Sequence, residues 1–313
     1  MVLSEKRALT FRLSVILLVV TLATAPAFGA QASEMGGSKS ESQGAASQGQ
    51  GQSLGELGKQ LNNPISSVWN ITTQSNMYFY KGDLSPSYRG QFVFNFQPVL
   101  PIPLTKNWTL IPRPVIPILA NPYITGLNAA TGSPEWSRTG GFGDIALVTL
   151  LSPNIPGVIL GFGPTFIFPT APTYDLGQGK FQMGPSVVLG FISKNWVGGV
   201  FPQQWWSVAG TRATPVTSQT NIQYFLFRML PGAWQVGFTP NILINWRADS
   251  GNRVTFPLGI GVGRTFKLGG VPIQSTLEFQ WMPVHPDDFG QRFNIRFVFK
   301  PVLPSLVKKP LFE

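Results

Sequence analysis

The strongest constraint on this chain is an alternation with a period of two residues. Gln91, Val93, Asn95 and Gln97 interleave with Phe92, Phe94 and Phe96, so one face of the segment carries three phenylalanines and the other mostly amides. Successive side chains of a strand point to opposite faces, so such a pattern describes an extended chain with two chemically distinct surfaces. The pattern returns in Gln235, Thr239, Asn241, Asn245 and Arg247 against Val236, Phe238, Ile242, Ile244 and Trp246. It returns again in Gln274, Thr276, Glu278 and Gln280 against Leu277, Phe279 and Trp281, and in Arg292, Asn294 and Arg296 against Phe293, Ile295, Phe297 and Phe299.

The composition decides between a soluble sandwich and a membrane barrel. Hydrophobic residues make up 43% of the chain and charged residues only 12%, about half the charged share of a soluble domain. A sandwich needs a polar face rich in Lys and Glu to meet bulk water. Here that face is amide, hydroxyl, glycine and a few arginines, which suits a confined, hydrated lumen. After the N-terminal region there is no uninterrupted apolar run long enough for a membrane helix, so a spanning chain must close its strands into a barrel.

Twelve segments read as strands, near 69–80, 88–100, 108–119, 142–151, 158–168, 180–192, 196–209, 220–229, 234–247, 253–266, 271–282 and 291–299. The fold expected is all-β: a transmembrane, antiparallel, up-and-down barrel of about twelve strands, with the even count of single-chain barrels. The expected inner turns 101–107, 152–157, 193–195, 230–233 and 267–270 are short, whereas the outer connections 120–141, 169–179, 210–219 and 283–290 are longer. Trp108, Trp196 and Trp234 follow inner turns, and Tyr80, Trp246 and Trp281 fall near outer ends, as two interfacial girdles require. Pro112, Pro114, Pro117, Pro240 and Pro257 oppose the reading, since proline removes a ladder donor; bulges or strand ends are expected to absorb some of them.

Lys6, Arg7 and Arg12, the apolar run 13–25 and the small residues Ala27, Gly29, Ala30 and Ala32 have the order of a secretory signal peptide, assigned to 1–32. Residues 33–53 are a Gly/Ser/Gln-rich spacer with too little apolar surface to order itself. In 54–66, Leu54, Leu57 and Leu61 recur at helical spacing around Glu56 and Lys59, and this short amphipathic segment either plugs the lumen or leads into the first strand. The barrel then spans 67–300 and a tail 301–313. The formal charge of +10 is scattered, which argues against nucleic acid as a partner. The absence of cysteine removes disulfides, thiolate metal sites and a lipidated N-terminal cysteine.

Several local signatures resemble a family of outer-membrane transporters related to barrels encoded with the phenol meta-cleavage pathway, some of which carry the label neuromedin U. They are Gly141-Phe142-Gly143-Asp144, Gly163-Pro164-Thr165-Phe166, Leu176-Gly177-Gln178-Gly179-Lys180 and the run from Trp246 to Arg253, within a likeness that covers about 57–300. The resemblance implies transport and names no solute. The departure is the tail, which leaves Phe299, the aromatic end of the last strand, inside the chain.

No catalytic, cofactor or metal site is expected. His285, the sole histidine, sits beside Asp287 and Asp288 in an outer loop with no serine motif to activate, which leaves a barrel lipase or phospholipase as a minor alternative. Gly259, Gly261 and Gly263 lie on a strand and read as packing, not a nucleotide loop. The candidate lumen-lining charges are Arg113, Asp144, Lys180, Arg247, Glu278, Arg292 and Arg296. They either form a pore favouring anionic or polar aromatic solutes or pair across strands to stiffen the wall, the latter preferred for Asp144 and Glu278. A channel for passive passage of small solutes follows, with a structural barrel of filled lumen as its alternative. The expected partners are outer-membrane lipid, lipopolysaccharide and the barrel-assembly machinery, at the outer membrane of a Gram-negative cell. Folding 283–290 about its centre places Glu278 within one position of Arg296, both on polar faces.

Overall fold

A computed structural model of the chain describes residues 53–129, 131–307 and 309–312. The expected signal peptide and nearly all of the spacer lie outside these residues. The described chain opens on a helix, α1 (Leu54–Asn62). Ser53 caps it by accepting from the backbone N–H of Glu56 at 3.2 Å, and Glu56 pairs with Lys59 at 2.6 Å.

The strands are β1 (Asn70–Gly82), β2 (Ser85–Val99), β3 (Trp108–Leu127), β4 in two pieces (Pro134–Phe142 and Ile145–Pro153), β5 (Val158–Phe168) and β6 (Lys180–Ile192). They continue as β7 (Trp196–Gly210), β8 (Ser218–Leu230), β9 in two pieces (Trp234–Phe238 and Asn241–Asn245), β10 (Val254–Leu268), β11 (Val271–Val284) and β12 (Gly290–Pro301). Each pairs antiparallel with its successor, and β12 returns to β1 with Asn76 opposite Arg296, so the twelve strands form a closed barrel without a free edge. Most strands span at least the roughly 9–11 residues that a tilted transmembrane strand needs.

Alternation sorts the side chains. Gln274, Thr276, Glu278 and Gln280 on β11 are buried inside, while Leu277, Phe279 and Trp281 are exposed outside. On β10 the outward Leu258, Ile260 and Val262 are exposed, and the intervening glycines face inward. A Cβ at Gly259 would meet Glu278 Oε1 at 2.6 Å and one at Gly263 would meet Thr276 Oγ1 at 2.5 Å. The glycine run therefore makes room for the polar side chains of β11. At one end the connections are short; Gly269 and Gly270, with φ of 56° and 84°, form the two-residue turn between β10 and β11.

Two expectations need correction, and the prolines of β3 need an account of their own. The connection 120–141 is not one long loop: β3 runs on to Leu127 and pairs with Pro134–Phe142 as a hairpin, from Ile118 opposite Phe142 to Leu127 opposite Pro134. Hydropathy does not mark this extension, because alternation is imposed only where the two faces meet different media. Tyr80 belongs to the inward face, not the outer girdle; it stacks on Phe289 at 5.0 Å and its hydroxyl donates to Gln91 at 2.8 Å. The proline cluster of β3 is carried by an interrupted seam. Pairing with β4 is continuous from Trp108 to Val115, but pairing with β2 covers only Ile116 to Ala120, so Pro112 and Pro114 fall where no β2 partner asks for a donor.

A closed barrel with this apolar exterior should be extracted only by detergent and should migrate faster on SDS gels before boiling than after. Recovery of residues 53–313 as a detergent-free monomer would refute the assignment.

Candidate functional site

The lumen is the concave surface of this fold, and it changes character along its length. At the end with longer connections, three loops knit together. Asp83 N donates to Asp287 O at 3.0 Å, and Asn252 and Asp288 exchange side-chain and backbone hydrogen bonds at 2.8 and 2.9 Å. The loop 169–179 reaches across to β3, where Asn121 Nδ2 donates to Asp175 O at 3.0 Å.

At mid-depth lies a buried polar network on β1, β9, β11 and β12. Glu278 stands directly opposite Arg296 in the register, with their charged atoms 3.8 Å apart and both side chains buried. Glu278 Oε1 accepts from Thr239 N at 3.0 Å and Gln280 Nε2 at 2.9 Å. Arg296 donates to Thr239 O at 2.6 Å and Asn76 Oδ1 at 2.9 Å. Thr239 is the break in β9 before Pro240, so the ion pair binds the backbone groups that the interrupted ladder frees. One asymmetry remains: Glu278 Oε2 makes no hydrogen bond with the described residues.

The end with short turns is packed with apolar side chains. Ile111, Val148, Leu150, Ile159, Val188, Val197, Phe201, Phe225 and Phe227 point inward and pack with Ile65, just past α1. Opposite this apolar packing, α1 is tied to the wall by polar contacts. Asn62 Nδ2 donates to Gln235 Oε1 at 2.7 Å, Gln274 Nε2 to Gly58 O at 3.0 Å and Lys300 Nζ to Leu61 O at 2.7 Å. Gly58 permits the approach, since a Cβ there would stand 2.7 Å from Thr265 Oγ1. The segment is thus seated inside the barrel against β9, β11 and β12 before the chain enters β1. A cavity of about 50 Å³ lies between α1 and the wall, lined in part by Asn70, Thr72, Arg113, Gln223, Thr239 and Lys300.

The other candidate charges are placed as follows. Arg113 faces this cavity, its guanidinium 5.8 Å from the centroid of Phe201. Lys180 is buried at the start of β6 and donates to Thr211 O. Asp144 lies at the break in β4 and accepts from Ala171 N at 3.1 Å and Gln178 N at 2.7 Å, holding the loop 169–179. Arg292 meets His285 Nε2 and donates to Lys81 O at 3.3 Å, near the knitted loops. Arg247 lies beyond its strand: β9 ends at Asn245, whose Oδ1 accepts from Arg247 N at 3.1 Å, and the turn leaves Arg247 exposed. Lys300 was missed because the last strand was ended at Phe299. Extending the parity of Arg292, Asn294 and Arg296 by two steps would have placed it inside.

The charges of the pair are set by the wall around them. Reversal of either one alone, Glu278→Arg or Arg296→Glu, should lower stability by about 3 kcal/mol or more, because a buried like-charge pair results. Reversing both restores charge balance but not the bonds to Thr239, so the urea midpoint should fall between wild type and the single variants. A double variant no more stable than either single one would reject the pairing as a stability element.

No protein-family model matches the sequence, and no match was found among the curated proteins. Among solved structures, an outer-membrane channel from Pseudomonas putida F1 aligns over 77% of this chain and 98% of its own, with a TM-score of 0.56 at 14% identity. The NanC porin aligns over 74% of this chain and all of its own, with a TM-score of 0.45 at 7% identity. The chain is a closed twelve-stranded barrel, and at the level of fold it is similar to the Pseudomonas channel.

Proposed function

We propose that this chain is an outer-membrane channel for the passive passage of small polar, anionic or aromatic solutes, held closed by α1. The observation that carries the reading is a closed wall, apolar outside and lined inside by a polar network and an apolar cluster, against whose short-turn end a separate helix is seated through three hydrogen-bonded contacts and the buried Leu57 and Leu61. A helix so held can leave without opening the wall, whose strands satisfy one another. In this reading 1–32 is the export signal, 33–53 the spacer and 67–300 the membrane domain, with outer-membrane lipid, lipopolysaccharide and the barrel-assembly machinery as partners. The likeness to barrels of the phenol meta-cleavage pathway belongs to the same proposal.

In planar bilayers the mature protein should conduct little, and deletion of Leu54–Ile65 should produce stable openings with anion preference. Replacing both Arg113 and Lys300 by Ala in the deletion variant should move the reversal potential toward zero, since rings of charge in a lumen set its selectivity. Arg296 is left in place because Glu278 depends on it. A deletion variant that folds, shown by heat-modifiable migration, and still passes no current would overturn the channel reading.

A further inference from the structure

Two cations of the barrel wall meet in one cavity, and neither has a carboxylate there. Arg113 on β3 and Lys300 on β12 both line the space of about 50 Å³ beneath α1, and none of its lining residues is Asp or Glu. The Nε and Nη1 atoms of Arg113 are buried, and no described residue accepts a hydrogen bond from either. Lys300 has Leu61 O at 2.7 Å, a carbonyl from the last turn of α1. The contrast with Arg296 is informative: in the same barrel that guanidinium has Glu278 at 3.8 Å and hydrogen bonds to Asn76 and Thr239. Glu278 and Arg296 balance one another, whereas Arg113 and Lys300 add positive charge that the wall does not match. Buried charge without an opposite charge is costly, and an anionic ligand offsets that cost.

We infer that this cavity binds the carboxylate group of a small organic acid between Arg113 and Lys300, and that binding loosens α1. The space is sufficient: a single water needs roughly 10–15 Å³, so about 50 Å³ takes a carboxylate. Charge-assisted hydrogen bonds from Arg113 would supply the unpaired donors with an acceptor. Asn70, Thr72, Gln223 and Thr239 offer further polar contacts, while Val99, Phe225, Phe227 and Val298 give the hydrocarbon part of the acid an apolar surface. The coupling follows from the shared lysine. A carboxylate that draws the ammonium of Lys300 competes with Leu61 O, so the ligand and the docked helix weaken one another by the same free energy. The inference rests on the channel reading for its purpose, but binding is measurable without flux.

The test uses the mature protein in detergent, with benzoate as probe and benzyl alcohol as its neutral counterpart. Calorimetric titration should show saturable binding of benzoate at least tenfold tighter than that of benzyl alcohol. Arg113→Gln and Lys300→Gln should each weaken benzoate at least tenfold, while Arg113→Lys retains most of the affinity. Saturating benzoate should also speed amide hydrogen exchange in α1 without affecting β11 and β12. Equal affinity for the two probes, or benzoate binding unchanged in Arg113→Gln, would overturn the site; unchanged exchange in α1 would overturn the coupling. Should Arg113→Gln fail to fold, Lys300→Gln, near the end of its strand, carries the same comparison. Failure of the helix-deleted barrel to conduct would overturn the channel reading alone, because the titrations do not depend on current.

Discussion

The structure depends on closure of the hydrogen-bond ladder. Each strand pairs with its neighbours over most of its length, and the return of β12 to β1 leaves no strand at a free edge. Closure also creates the two environments that the side chains answer to. Outside, Leu258, Ile260, Phe279 and Trp281 stand exposed at a cost that water would impose and a hydrocarbon medium would not. Inside, Gln235, Gln274, Gln280 and Asn294 are buried and must find partners within a narrow space.

That narrowness explains why the lumen is filled in two ways. Along β9, β11 and β12, amides and the Glu278–Arg296 pair bond to one another, and the inward glycines of β10 leave room for them. Along β3 to β8, inward aliphatic and aromatic residues pack with Ile65. The helix α1 lies between the two, polar toward Gln235, Gln274 and Lys300 and followed by an apolar anchor. Its position is therefore specified from both sides, yet its removal would leave every strand of the wall paired.

Much of the candidate site was legible because alternation is a local property. The inward faces of β11 and β12 were readable from residues 274–280 and 292–296, and the symmetry of the hairpin placed Glu278 against Arg296 within one position. A local rule has no purchase where strands end and turns begin. Arg247 was carried past the end of its strand because parity does not reveal where a turn begins, and Asn245 ends the strand by accepting the N–H that would have continued it. Tyr80 was assigned to a girdle from its depth alone, although its parity with Asn76 and Thr72 already placed it inside.

The amino-acid sequence by itself determined the number of strands, the alternation of their faces and the apolar exterior, because these follow from a two-residue repeat and from turn chemistry over a few positions. Only the tertiary structure decided what occupies the lumen. Whether 54–66 entered the barrel depended on groups far away in the chain, Gln235, Gln274 and Lys300, presenting matched donors and acceptors to Asn62, Gly58 and Leu61. The same holds for Arg113 and Lys300, separated by most of the barrel in sequence and brought to one cavity by closure. Their proximity is a property of the circle of strands, which no stretch of the chain contains.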